Sequence, residues 1–267
     1  MLTIQNYVKA ASLEEAYELN QKKSNRIIGG MLWLKMSHMR VQTAIDLSGL
    51  GLDTIEEGEQ EFRIGAMVSL RQLELHQGLD QYTNGSMKEC LRHIVGVQFR
   101  NLATVGGSIF GRFGFSDVLT EFLALGAEAE LYKAGRVSLE EFVKMPADRD
   151  ILVRILVPRK DLKNAYQSLR NTSTDFPVLT CAVSKDADSA VCAAIGARPG
   201  RAVLVRDENG ILKNGITEET ASIFGTYVSE QIVTGSNMRA GAKYRKHLAS
   251  VLTKRAVMQM GGGQIED

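Results

Sequence analysis

The stretch Ala103–Leu131, ATVGGSIFGRFGFSDVLTEFLALGAEAEL, decides the fold. It opens with Thr104 and the adjacent glycines Gly106 and Gly107, then drops through a polar loop to Ser116, a residue suited to a helix N-cap. Val118, Leu119, Phe122, Leu123 and Leu125 supply an apolar helical face, and Gly126 supplies the stop. AEAELY, from Ala127, then alternates as a strand. A second glycine pair, Gly29–Gly30, closes an apolar run in IIGGMLWL, Ile27 to Leu34. Paired glycines turn backbone N–H groups to one side and admit a ligand without Cβ obstruction. Such N–H clusters suit phosphate. Thr104 and Ser108 add hydroxyls around the second pair, and Asp117 places a carboxylate at the helix start. That carboxylate either stabilises the helix dipole or accepts hydrogen bonds from sugar hydroxyls. Taken singly, each glycine pair also fits an ordinary turn.

Outward from this segment the chain mixes short strands and helices. Ser12 and Glu15 form a capping-box pattern before a helix carrying Leu13, Ala16 and Tyr17 on one face. NRIIGG, TAIDLSGL and EFRIGAMVS read as strands, the last entering a helix capped by Ser69 with Gln72. MKECLRHIVGV reads as helix, SLEEF repeats the capping box at Ser138 and Glu141, and DILVRILVPRK is a strand ended by Pro158. Beyond it, FPVLTCAVSK, SAVCAAIGARPGRAVLVR and NGIL suggest strands joined by turns. In the last helix Tyr244, Leu248, Val251 and Leu252 form one stripe, and the tail GGGQIED is expected to lack regular structure. The absence of regular βαβ alternation favours an α+β fold. The expected division is residues 1–158, with an internal boundary near 53, and residues 159–267.

The 267-residue chain is 44% hydrophobic and 24% charged, with a formal net charge of +1. It can bury a core without staples, and it has no global field for nucleic acid or an anionic membrane. Its three cysteines form no CxxC, which argues against a disulfide framework or a cluster site carried within this chain. The four histidines show no ligand spacing, so no metal ligand is assigned. No secretory signal and no membrane-length apolar run are legible, so a cytoplasmic location is expected. Neither G-x-G-x-x-G after a strand nor a P-loop occurs. Arg239, Lys243, Arg245, Lys246, Lys254 and Arg255 read as a solvated basic face or a docking face for a partner subunit.

RNLATVGGSIFGRFGFSDVLTEFLALGAEAEL resembles the R-N-x-A-T-[IV]-G-G…[SP]-D pattern of the FAD-binding subunits of molybdenum hydroxylases, the xanthine dehydrogenase and carbon monoxide dehydrogenase group. IIGGMLWLKMSHMR sits where that family has its first flavin loop, and IDLSGL, RIGAMVSLRQLE, DILVRILVP and YRKHLASVLTKRAV follow in order. The resemblance implies a two-subdomain FAD-binding domain of the PCMH/VAO-like type, then a smaller α+β domain with an antiparallel sheet. It implies that Ile27, Ile28, Gly29, Gly30, Met31, Leu32 and Trp33 wrap the FAD pyrophosphate with backbone N–H groups. It also implies a second clamp at Thr104, Val105, Gly106, Gly107 and Ser108. Asp117, after Ser116, becomes a polar anchor, Ile94 an apolar contact, and Ile151 and Leu152 a wall for the flavin or adenine. The family's partners would be a molybdopterin-binding large subunit and a small [2Fe-2S] subunit, with NAD among the candidate acceptors. No side chain here is implied as a catalytic acid, base or nucleophile.

The sequence departs from the pattern at Met31-Leu32, where the family is polar, at Thr120, where it has Pro, and at Gln167, where it often has Lys. The last change removes a positive charge expected near the flavin. Two other readings stay open at this point: a stand-alone flavin reductase, and an assembly module that has lost FAD. Trp33 reads either as packing or as an aromatic wall beside the cofactor.

Overall fold

In the computed structural model, residues 1–187 and 191–262 are described, and they build three sheets in chain order. The first unit holds β1 (Thr3–Lys9), α1 (Leu13–Asn20), β2 (Arg26–Ile28) and β3 (Arg40–Asp46). Its sheet has the order β1-β3-β2, and both pairings are parallel. Ser12 caps α1 as expected, but Glu15 reaches back to the Ala11 amide, at 2.7 Å.

The second unit starts with β4 (Ile55–Glu57) and β5 (Glu61–Gly65). A run of short helices follows: α2 (Leu70–Leu75), α3 (Gln77–Tyr82), α4 (Ser86–Arg92), α5 (Val97–Leu102), α6 (Val105–Phe110) and α7 (Asp117–Ala124). It closes with β6 (Glu128–Leu131), β7 (Gly135–Ser138), α8 (Leu139–Lys144) and β8 (Leu152–Pro158). These strands form an antiparallel sheet in the order β4-β5-β8-β6-β7. The Ser69–Gln72 capping box forms in full, and Ser116 and Ser138 cap α7 and α8. Gly126 takes the left-handed conformation that ends α7, at φ +65°.

The third unit is the antiparallel sheet β12-β11-β10-β9, built from β9 (Leu162–Arg170), β10 (Pro177–Asp186), β11 (Cys192–Gly196) and β12 (Val203–Arg206). Helices α9 (Glu218–Gln231) and α10 (Ala242–Met260) bury Phe224, Val228, Leu252 and Val257 with Val178, Cys181 and Ile195 of the sheet. Helix α7 lies between this sheet and the second unit. Every one of its residues is buried, so the polar Asp117, Thr120 and Glu121 go inside with Phe122 and Leu123. That placement makes α7 the floor of the site.

Three expectations need correction. Asn209–Leu212 forms turns rather than a strand, because Gly210 adopts φ +65° there. On α10 the buried face is Arg245, Leu248, Ala249, Leu252 and Ala256, while Tyr244 is half-exposed. Arg245 belongs to no solvated face: it is fully buried and donates to the carbonyls of Val178, Gly235 and Ala240. The tail from residue 263 lies outside the described residues.

Candidate functional site

The two glycine pairs, far apart in sequence, meet in space. A Cβ on Gly30 would lie 1.8 Å from the Leu102 carbonyl oxygen, and one on Gly29 would lie 2.8 Å from Thr104 Oγ1. Gly106 packs on Ala66, whose carbonyl oxygen would be 2.8 Å from a Cβ. Gly29 and Gly30 let the loop after β2 lie directly on Thr104 and on the end of α5, while Gly106 lets the start of α6 lie on Ala66 beyond β5. Gly107 differs: its Cβ would meet only Thr104 Oγ1, at 3.2 Å.

Two cavities of about 330 Å³ each open on either side of this junction. Both share Ile27, Ile28, Gly29, Thr104 and Gly107 as walls, so together they form one groove over the glycine junction. The first cavity also takes Gly30, Met31, Leu32, Trp33, Ile94, Ser108, Ser116 and Asp117 from the expected set. The second takes Gly106, Ile151 and Leu152. Val105 is the exception. Its side chain is fully buried in the core, and its amide donates to the Val68 carbonyl.

The two expected clamps differ in what they offer. Among the described residues, the amides of Gly29, Gly30, Met31, Leu32 and Trp33 have no acceptor in the chain. Met31 holds a left-handed φ of +57°, the kind of turn that gathers successive N–H groups into an anion nest. Gly106 and Gly107, by contrast, lie in the first turn of α6 rather than in a loop. The amides of Gly106, Gly107 and Ser108 donate to Ala66 O, Thr104 Oγ1 and Thr104 O. The second clamp therefore offers a smooth surface and hydroxyl groups, not free amides.

The first cavity is walled by aromatic rings. Trp33 stacks on Phe176 at a centroid distance of 5.7 Å, and Phe176 meets Phe115 edge-on at 4.5 Å. Trp33 is 46% exposed and Phe113 44% exposed, so the cavity is reached from the surface beside these rings. Trp33 is thus wall as well as packing.

Asp117 lines the cavity, but its carboxylate is engaged. Oδ1 accepts from Tyr166 Oη at 2.5 Å and from Arg170 Nη2. Burial pushes its carboxyl above the usual range, against the pull of Arg170 and of the Tyr166 hydrogen bond. Gln167 points elsewhere, donating to Gln259 Oε1 on α10 at 2.7 Å, so that position brings no charge to the groove. The cation in the cavity wall is Arg170. In the second cavity, Asp150 accepts the amides of Lys133, Ala134 and Ile151, and Arg149 donates to the carbonyls of Asn20, Lys22 and Asn25. Those bonds fix the wall that carries Ile151 and Leu152.

The family described as the FAD binding domain in molybdopterin dehydrogenase matches residues 2–160. The chain belongs to this family. The CO dehydrogenase flavoprotein C-terminal domain matches residues 164–260. Among relatives, the chain is 24% identical over 254 residues to the uncharacterised protein YgfM of Escherichia coli K12, covering 93% of each. It is 25% identical over 274 residues to the nicotine 6-hydroxylase medium subunit of Paenarthrobacter nicotinovorans, covering 96% of each. A carbon monoxide dehydrogenase chain from Hydrogenophaga pseudoflava shares the fold with a TM-score of 0.84 at 22% identity, over 96% of both chains.

FAD is the cofactor of this family, and the chain is a flavoprotein subunit of the oxidoreductase type. The groove fits that cofactor on its own terms. Five amides without acceptors suit a pyrophosphate. Gly107 leaves open the space that a side chain would occupy, and aromatic walls suit a planar ring system. The resemblance did not indicate Arg170, Asp175, Phe176 or the ring cluster around Phe99 and Phe115. FPV reads only as a strand start and FGRFGF as a loop, although its three phenylalanines are the signal from which an aromatic wall could have been found. Among the described residues no group of three His, Cys, Asp or Glu side chains is placed to hold a metal.

Proposed function

We propose that this chain is the electron-transferring flavin subunit of a molybdopterin-dependent hydroxylase or dehydrogenase. The groove would hold FAD with its pyrophosphate at the amides of Gly29–Trp33, its ring system in the aromatic cavity and its adenosine in the cavity walled by Ile151 and Leu152. When bound, the flavin supplies the redox chemistry. The chain's own residues bind it, exclude water from its ring and leave one approach from the surface. The exposure of Trp33 and Phe113 at the cavity carries this reading, because an electron donor and an acceptor both need that approach.

In this reading a molybdopterin-binding large subunit oxidises a small molecule, and a [2Fe-2S] small subunit delivers the electrons here. NAD or another acceptor then removes them. The medium-subunit name of the Paenarthrobacter relative supports such an assembly, and a cytoplasmic location goes with it. Affinity purification from the native cell tests the assembly. The expected result is recovery with two further chains, molybdenum and iron. An FAD-loaded chain that purifies alone and rapidly reduces a dye with NAD(P)H would favour a stand-alone flavin reductase instead.

A further inference from the structure

Arg170 ends β9 and stands in the wall of the aromatic cavity. Its side chain is 6% exposed, as is that of Asp117, to which Nη2 donates. Nη1 donates to the Asp175 carbonyl at 2.7 Å, and Nε is buried with no acceptor. A guanidinium carries five N–H donors, so most of this one's capacity is unused.

Among the described residues, Arg170 is the one cationic side chain lining this cavity. The two acids there are already paired, Asp117 with Arg170 and Tyr166, and Asp175 with Arg239. A buried guanidinium with idle donors costs free energy until an acceptor arrives. Trp33, Phe99, Phe115 and Phe176 make the rest of the lining largely apolar. The lining thus combines apolar rings with one buried cation that has donors to spare. A flavin ring carries carbonyl oxygens at one edge, acceptors that such donors would suit.

We propose that Arg170 is a cofactor-contacting residue whose guanidinium donates to the carbonyl edge of the flavin and favours its reduced state. This rests on the FAD reading above. Reduction by two electrons from an added reductant, with one proton from solvent, leaves the ring with one added negative charge. A donor carrying positive charge stabilises that state in a water-poor cavity more than it would in water. Asp117 acts through Arg170, as the residue that positions it.

The test uses two variants of the full chain. Arg170→Lys keeps the charge and a partner for Asp117 but loses the planar fork. The double variant Arg170→Met with Asp117→Asn removes the ion pair without leaving one buried charge behind. FAD affinity is read by flavin fluorescence, the midpoint potential by dithionite titration against a reference dye, and stability by apo-protein melting. Arg170→Lys should weaken FAD about tenfold with little change in apo melting. It should also shift the flavin equilibrium toward the oxidised state by up to tenfold, about 30 mV for a two-electron couple. The double variant should lose at least as much affinity. Wild-type affinity and potential in either folded variant would overturn the proposal, as would an affinity loss matched by lost apo stability. Failure of the wild-type chain to bind FAD would instead remove the functional reading beneath it.

Discussion

Gly30 lies so close to Leu102 that a Cβ on Gly30 would come within 1.8 Å of the Leu102 carbonyl oxygen. This backbone contact, formed between the loop after β2 and the end of α5, joins the first unit to the second. It explains why two glycine pairs more than seventy residues apart serve one site. Most of these glycines are required for packing, and Gly107 is the one whose bare face is left to a ligand.

Gly107→Val and Gly30→Ala should therefore fail differently. Gly30→Ala forces a backbone shift and should cost about 1–3 kcal/mol or more of apo-protein stability. Gly107→Val places its side chain beside Thr104 at the groove and should leave apo stability within about 1 kcal/mol. Its FAD affinity should nevertheless fall tenfold or more. Thermal melting of both apo-proteins, paired with FAD titration, checks this. Equal losses of stability and affinity in Gly107→Val would reduce that glycine to a packing residue.

Asp117→Asn should be far costlier than loss of a helix-dipole interaction, which is worth about 0.3–1 kcal/mol. It strands Arg170 as a buried cation, and breaking a buried pair from one side costs about 3–5 kcal/mol. Replacing both partners, with Arg170→Met added, should recover most of that loss. Urea denaturation of the three proteins decides the point, and a cost under 1 kcal/mol for the single variant would contradict the buried pair.

Glu121 gives a pH dependence. One helical turn beyond Asp117, it is fully buried, its Oε1 accepts from Ser86 at 2.5 Å, and its Oε2 has no partner. Burial pushes its carboxyl up to about 7 from an ordinary value of 4.5. Between those pH values the unfolded chain has lost the proton while the native chain keeps it. Stability should thus fall as pH rises from about 4.5 to about 7, by at most about 3 kcal/mol from this residue. Glu121→Gln should flatten that slope and be the more stable protein at pH 8. Denaturation midpoints at pH 5 and pH 8 report it, and identical pH profiles would rule Glu121 out.

Arg245 should behave as a structural keystone despite its place in a basic helix. Arg245→Met removes the side-chain donor from the carbonyls of Val178 and Gly235 and leaves that of Ala240 with the Asn237 amide alone, and should cost at least about 2 kcal/mol. Lys246→Met on the exposed side of α10 should cost almost nothing. Comparable melting temperatures for the two would contradict this assignment.

The site was legible where local chemistry dictates structure. Ser69, Ser116 and Ser138 announce their helices because an N-cap side chain satisfies amides within its own turn. The glycine pairs and Ile151–Leu152 followed from the family pattern. What stayed hidden depends on contacts across the fold. Nothing in the sequence shows that the Gly107 amide is taken by Thr104, or that Asp117 meets Tyr166 and Arg170 some fifty residues later. Periodicity also misplaced the face of α10, because a buried arginine that donates to carbonyls looks like any surface arginine. Edge strand β1 carries mostly exposed residues, so it lacks the apolar alternation that marks a half-buried strand.

In the proposed function one groove, crossing the glycine junction, holds FAD along its length. Titrating the apo-protein in parallel with FAD, FMN and riboflavin tests it most directly. FMN lacks the second phosphate and the adenosine, so it would leave the Ile151–Leu152 cavity empty. One FAD should bind per chain, at least tenfold tighter than FMN, with riboflavin weaker still. FMN binding as tightly as FAD, or no flavin binding to a folded chain, would contradict it.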